Sequence, residues 1–145
     1  MTLETTRSTV RFVPNLYPSW LEIPVSDLER ATAFYRAVFG LSDTPLYDDP
    51  PARIVVLRAS EKSVKQPGVS LVQSPLHTPS EGGVVVNFHV GDHATLMQTQ
   101  QRTLEHDGAA VTDVVDTGDG VRYMTLRDCE GNRFTISSYE ALEFG

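Results

Sequence analysis

Apolar residues recur at helical spacing in two stretches of the chain and alternate with polar ones in several others. Leu28, Ala31, Phe34, Tyr35, Val38 and Phe39 form one broad stripe, which predicts an amphipathic helix over 28–39. A second helical stretch, from 93 to about 107, has a thinner apolar face of Leu96, Met97 and Leu104 beside Gln100. Asp27 and Asp92 precede these stretches, each placed to accept a free backbone N–H at the positive end of a helix dipole. Ser26 with Glu29 fits a capping box one residue earlier, and Gly40 and Gly108 suit the left-handed turn past a helix end. Strand patterns fall at 20–25, 53–58, 69–73, 84–90, 111–115, 121–126 and 133–137, with turns at 118–120 and 128–132.

The order of these elements repeats. Asp27 and Asp92 are 65 residues apart, and so are Ser70 and Thr135 near the far end of each unit. Two βαβββ units are the simplest account. Module one covers about 16–74 and module two about 84–139, within a single domain over 16–145. A linker over 75–83 holds Pro75, Pro79 and the Gly82-Gly83 pair. Residues 1–15 match nothing in the repeat and read as an N-terminal arm.

Strand alternation sorts the side chains into two faces. Leu21, Ile23 and Val25 turn toward the helix and leave Trp20, Glu22 and Pro24 on the other side. In the second unit Val86, Phe88 and Val90 take the helix side, opposite Val85, Asn87 and His89. Phe134 and Ile136 go to the core, leaving Arg133, Thr135 and Ser137; Met124 and Leu126 likewise leave Tyr123 and Thr125. Each strand thus has one apolar and one mixed face, as a sheet lining a ligand cavity requires.

The runs EIPVSDLERATAFYRAVFGL, VNFHVGDHATL and YMTLRDCEGNRFTISS resemble the vicinal oxygen chelate superfamily, the glyoxalase, bleomycin-resistance and extradiol-dioxygenase group. The resemblance covers about residues 16–139. It implies an α+β fold in which the two modules form a curled mixed sheet, a cup, with helices on the outer side and the ligand inside. It also implies a homodimer. The family's metal ligands are His, Gln or Glu; their positions carry over to Trp20, Ser70, Val85 and Thr135 in this chain. An indole, an aliphatic chain and two neutral hydroxyls do not make a site for Zn, Fe, Mn or Ni. The expectation is therefore no metal cofactor, and none of the glyoxalase I, fosfomycin-transferase or extradiol-dioxygenase chemistries.

Glu22 and His89 lie one pleat further along their strands, on the mixed face, and are expected to line the same cavity. They read as polar lining, as an acid–base pair, or as a displaced metal pair needing Asn87 or Thr135 as a third ligand. Trp20 and Tyr123 are candidate flat walls for a ligand, with Asn87, Thr125 and Thr135 as polar lining. Arg133 reads as a clamp for an anionic group, or as the partner of Asp128 or Glu130 in its own turn. His93 and His106 read as solvated, His77 lies in the linker, and Cys129 reads as an incidental thiol.

Composition narrows the remaining choices. Twelve basic against nineteen acidic residues give a net charge of −7, which repels phosphate backbones and argues against nucleic acid. A single cysteine excludes an intrachain disulfide framework. No apolar run approaches a membrane span, and the first residues lack the apolar centre of a secretory signal, so a cytoplasmic protein is the default. The leading expectation is a bleomycin-resistance-like protein, or a metal-independent enzyme, that holds a small organic molecule in its cup. The alternative is a lyase or isomerase, or a metal-dependent lyase or dioxygenase with shifted ligands, using Glu22 and His89.

Overall fold

Helix α1 (Leu28–Phe39) forms where the apolar stripe predicts it, and Leu28, Ala31, Phe34, Tyr35 and Val38 are buried. Asp27 caps it by accepting from Arg30 N, and Gly40, at φ 64°, closes it. The computed structural model describes residues 19–59 and 68–143, so the expected arm lies outside the described residues. Around α1 stand β1 (Trp20–Pro24), β2 (Leu46–Asp49), β3 (Ala52–Leu57) and β4 (Gly68–Gln73), in the sheet order β1-β4-β3-β2. The second unit has β5 (Val86–Gly91), α2 (His93–Glu105), β6 (Ala109–Ala110), β7 (Val115–Asp116), β8 (Val121–Arg127) and β9 (Arg133–Tyr139). Its sheet runs β5-β9-β8-β6, with β7 also on β8. The two sheets are mixed and open.

The repeat is kept in the register. Parallel strands β1 and β4 set Glu22 opposite Ser70, and parallel β5 and β9 set Asn87 opposite Thr135. The helix N-termini repeat the theme: Leu28 N donates to the Gln73 side chain, and His93 Nδ1 lies 2.7 Å from Ser138 Oγ. Both contacts bind the end of a unit's last strand to the start of its helix.

One strand was not expected, and three expectations need correction. Strand β2 has no alternating pattern; all four of its residues are exposed and it pairs only with β3, so tertiary pairing makes it a strand. Most of the expected strand over 111–115 is absent: β6 lies before it and β7 begins at its last residue, because Val111 N and Thr112 N both turn to the Thr125 carbonyl and bulge the ladder. Helix α2 ends at Glu105, and Asp107 rather than Gly108 takes the left-handed conformation at φ 69°. Gly108 is needed for closeness: a Cβ there would stand 2.5 Å from Thr103 Cγ2 and 2.6 Å from the Arg127 carbonyl. Met97 and Leu104 are exposed, and Thr99 and Thr103 complete the buried face of α2 by bonding back to the carbonyls of Thr95 and Thr99.

One core joins the units. The ring of Phe134 in β9 lies among Phe34, Tyr35 and Phe39 of α1, with centroids 5.9–6.4 Å apart, and Phe39 also meets Phe88 of β5 at 4.9 Å. The turn 128–132 is a polar clasp beside it. Tyr35 OH donates to Asp128 Oδ2 at 2.6 Å, and Asp128 also accepts from the backbone of Glu130 and Asn132. Asn132 donates to the Pro24 carbonyl and accepts from Ser80 N. Glu130 reaches across to the start of α1, accepting from Ser26 N and Oγ and from Asp27 N, with Arg30 at 3.3 Å. Burial raises the pKa of Asp128, and it raises that of Tyr35 well above its ordinary value, with Asp128 adding to it. Burial works to raise Glu130 as well, but its bonds to Ser26, Asp27 and Arg30 outweigh this and hold it low.

Candidate functional site

Alternation sends the side chains where the pattern indicates: Ile23, Val25, Met124, Leu126, Phe134 and Ile136 are buried, while Trp20, Glu22, Val85, Asn87, His89, Tyr123 and Arg133 are exposed on the opposite faces. A cavity of about 310 Å³ opens at the seam where β1 meets the starts of β5 and β9. Glu22, Val85 and Arg133 line it, so both units contribute mixed-face residues, and Ser80 and Glu81 of the linker form one wall.

The seam carries charges of both signs. Glu81 Oε1 is 2.8 Å from Arg127 Nε, and its other oxygen is 4.0 Å from Arg133. Arg133 therefore takes its carboxylate from the linker, not from Asp128 or Glu130 in its own turn; those two are held by Tyr35 and by the start of α1. Glu22 Oε1 lies 3.2 Å from His77 Nε2, and His77 Nδ1 lies 2.6 Å from Ser74 Oγ. His93 is not simply solvated either: besides Ser138, it has Glu140 at 3.8 Å, and its side chain is 17% exposed.

Asn87 and His89 line a different depression, of about 840 Å³, whose other walls include Phe39, Leu57 and Val69. Ser137 donates to the Asn87 side chain. Trp20, Tyr123, Thr125 and Thr135 stand on the mixed faces outside both depressions. Thr125 and Thr135 share a hydroxyl–hydroxyl bond at 3.1 Å, and Trp20 is 62% exposed. Sequence reasoning missed Ser74 and Glu81 and left His77 as a linker residue. Their chemistry arises because the linker folds back across β1 and β8, and no spacing in the sequence signals that return.

The donor set does not fit the divalent metal that the fold implies. Ser70 is buried at the Glu22 register position, Thr135 is committed to Thr125, and Trp20 and Val85 offer no ligand atom. Among the described residues no three His, Cys, Asp or Glu side chains gather closely enough to share an ion. No helix there is long and apolar enough to cross a membrane.

Comparison with known proteins gives the same architecture. Residues 19–45 match the family described as bleomycin resistance protein-like N-terminal. A glyoxylase/bleomycin resistance protein/dioxygenase domain from Frankia sp. EAN1pec superposes with TM-score 0.67 at 12% identity, covering 91% of this chain and 94% of that one. The fosfomycin resistance protein FosX of Listeria monocytogenes gives 0.62 at 12% identity, covering 92% and 97%. A glyoxalase I mutant from Zea mays gives 0.62 at 19% identity, covering 82% of this chain but 45% of that one. No curated protein matches the sequence.

Proposed function

We propose that this chain, which shares its fold with glyoxalase/bleomycin-resistance proteins, is a member of the vicinal oxygen chelate superfamily that binds a small organic molecule at the seam without a divalent metal. The observation that carries this reading is the cavity lined jointly by Glu22, Val85 and Arg133, where an apolar wall lies beside two carboxylates, Glu22 and Glu81, and one guanidinium. Such a cavity suits a compact ligand whose polar groups meet fixed charges while its body covers apolar surface. Trp20 and Tyr123 extend the surface outward, with Asn87, Thr125 and Thr135 as further polar contacts. The lyase or isomerase reading required Glu22 and His89 in one cavity; Glu22 instead faces His77, so binding is the better-supported function.

The test is a thermal-shift screen of small organic compounds, bleomycin included, followed by titration of each hit against E22Q and R133A. Loss of a buried polar partner costs about 1–3 kcal/mol, so affinity should fall roughly 5- to 150-fold in at least one variant. A hit that binds both variants like the wild type overturns the site. Protein purified without chelator should carry well under one equivalent of Zn, Fe, Mn or Ni; a full equivalent held by cup residues overturns the metal-free reading. We further propose a cytoplasmic homodimer, since Trp20, Tyr47 and Tyr139 leave large apolar side chains exposed. Light scattering should give about twice the 16.0 kDa of one chain.

A further inference from the structure

Three side chains brought together by the linker form a second chemical unit. The segment that follows β4 turns at once: His77 N donates to the Ser74 carbonyl, and Leu76 N donates to Ser74 Oγ at 3.1 Å. This turn sets Ser74 Oγ 2.6 Å from His77 Nδ1 and points the other ring nitrogen at Glu22 Oε1, 3.2 Å away. The proton arrangement follows. An ionised Glu22 can only accept, so Nε2 carries the hydrogen; Nδ1 is then the acceptor, and the Ser74 hydroxyl donates to it. Serine, imidazole and carboxylate thus stand in the order that activates a hydroxyl nucleophile.

We propose that Ser74, His77 and Glu22 form a serine hydrolase site for small carboxylic esters, with Ser74 as nucleophile, His77 as general base and Glu22 as a positioning residue. Ser74 and His77 line a depression of about 440 Å³ on the outside of the linker, and Arg53 lines it too. The Arg53 guanidinium is held at 2.8 Å by Glu29, so that wall of the depression is an ion pair. The Leu76 N–H takes one lone pair of Oγ and favours the developing alkoxide, leaving the other pair for attack. In the first step Oγ bonds to the ester carbonyl carbon, and the hydroxyl proton moves to His77 Nδ1. The tetrahedral adduct then expels the alkoxide or phenoxide, which takes that proton. In the second step His77 removes a proton from water, whose oxygen attacks the acyl-serine; Oγ leaves with the proton, and a carboxylic acid is released.

This activity goes beyond ligand binding at the seam and shares only Glu22 with it. The experiment uses the full chain with p-nitrophenyl acetate as substrate and a fluorophosphonate as covalent probe. The expected result is release of p-nitrophenolate, acetyl and phosphonyl adducts mapped to Ser74, and both lost in S74A. H77A should lower the rate about 10²- to 10⁴-fold, the range of general-base catalysis. E22Q should slow turnover by lowering kcat with KM little changed, and E22D should restore part of it. A purely structural role for Glu22 would give no such split and no rescue. Adducts on another residue, no adduct at all, or unchanged turnover in S74A overturns the proposal. Should S74A fail to fold, adduct mapping on the wild-type chain decides alone. Ligand affinity at the seam, measured in S74A, stays at the wild-type value under this proposal, so its failure and that of the binding reading are separately visible.

Discussion

Removing the Glu130 carboxylate tests how the two units are fastened. Its side chain is 1% exposed and accepts three hydrogen bonds across the interface: Ser26 N at 3.1 Å, Ser26 Oγ at 2.5 Å and Asp27 N at 2.9 Å. In E130A these donors lose their partner. A buried N–H without an acceptor costs about 1–3 kcal/mol, and water reaches Ser26 and Asp27 from one side, so a net loss of about 2–4 kcal/mol is expected. E130Q keeps one acceptor oxygen but turns an amide NH2 toward a donor, which should cost about 1–2 kcal/mol. The carboxyl pKa is held low in the folded chain, so its stabilisation is fully present above the unfolded value of about 4.3. It is lost as pH falls through the folded value. Wild type and E130Q should therefore differ at about pH 7 and converge in acid. Urea unfolding followed by circular dichroism, at neutral and acid pH, measures both effects. An E130A chain within about 0.5 kcal/mol of wild type at neutral pH, below the cost of even one lost partner, would refute the clasp.

Y35F should cost about 1–2 kcal/mol by chemical denaturation, since it takes one donor from the buried Asp128 while the backbone donors stay. Cys129 has its thiol pushed up to about 11, by burial first and by Asp128 next. At about pH 8.5 it should react with iodoacetamide on the order of 100-fold more slowly in the folded chain than in urea, and equal rates would contradict this. G120A should lower stability by more than about 2 kcal/mol, because the residue has φ 97° and a Cβ would run into the Glu140 carbonyl; a neutral G120A would show that the β8–β9 end can relax.

Much of the fold is local and was therefore legible. The stripe on α1, the capping aspartates and the alternation in β1, β5, β8 and β9 each depend on neighbours within a few residues, where sterics and solvent preference act directly. The 65-residue offset is kept in the observed register, where Glu22 opposes Ser70 and Asn87 opposes Thr135, but which strands pair was decided by the tertiary structure. Strand β2 was not legible: an exposed edge has no apolar face to alternate, and only the β3 backbone calls it into a sheet. The motif at 128–132 was visible as a turn, but nothing local says that Glu130 caps a helix about a hundred residues earlier. For the candidate site, the sequence by itself determined which side chains leave the core. Tertiary structure decided which of them meet, sending Glu22 to His77, Arg133 to Glu81 and His89 to a separate depression. The physical reason is that alternation selects a face, whereas an ion pair forms at a distance set by how the sheets and their linker are placed in space.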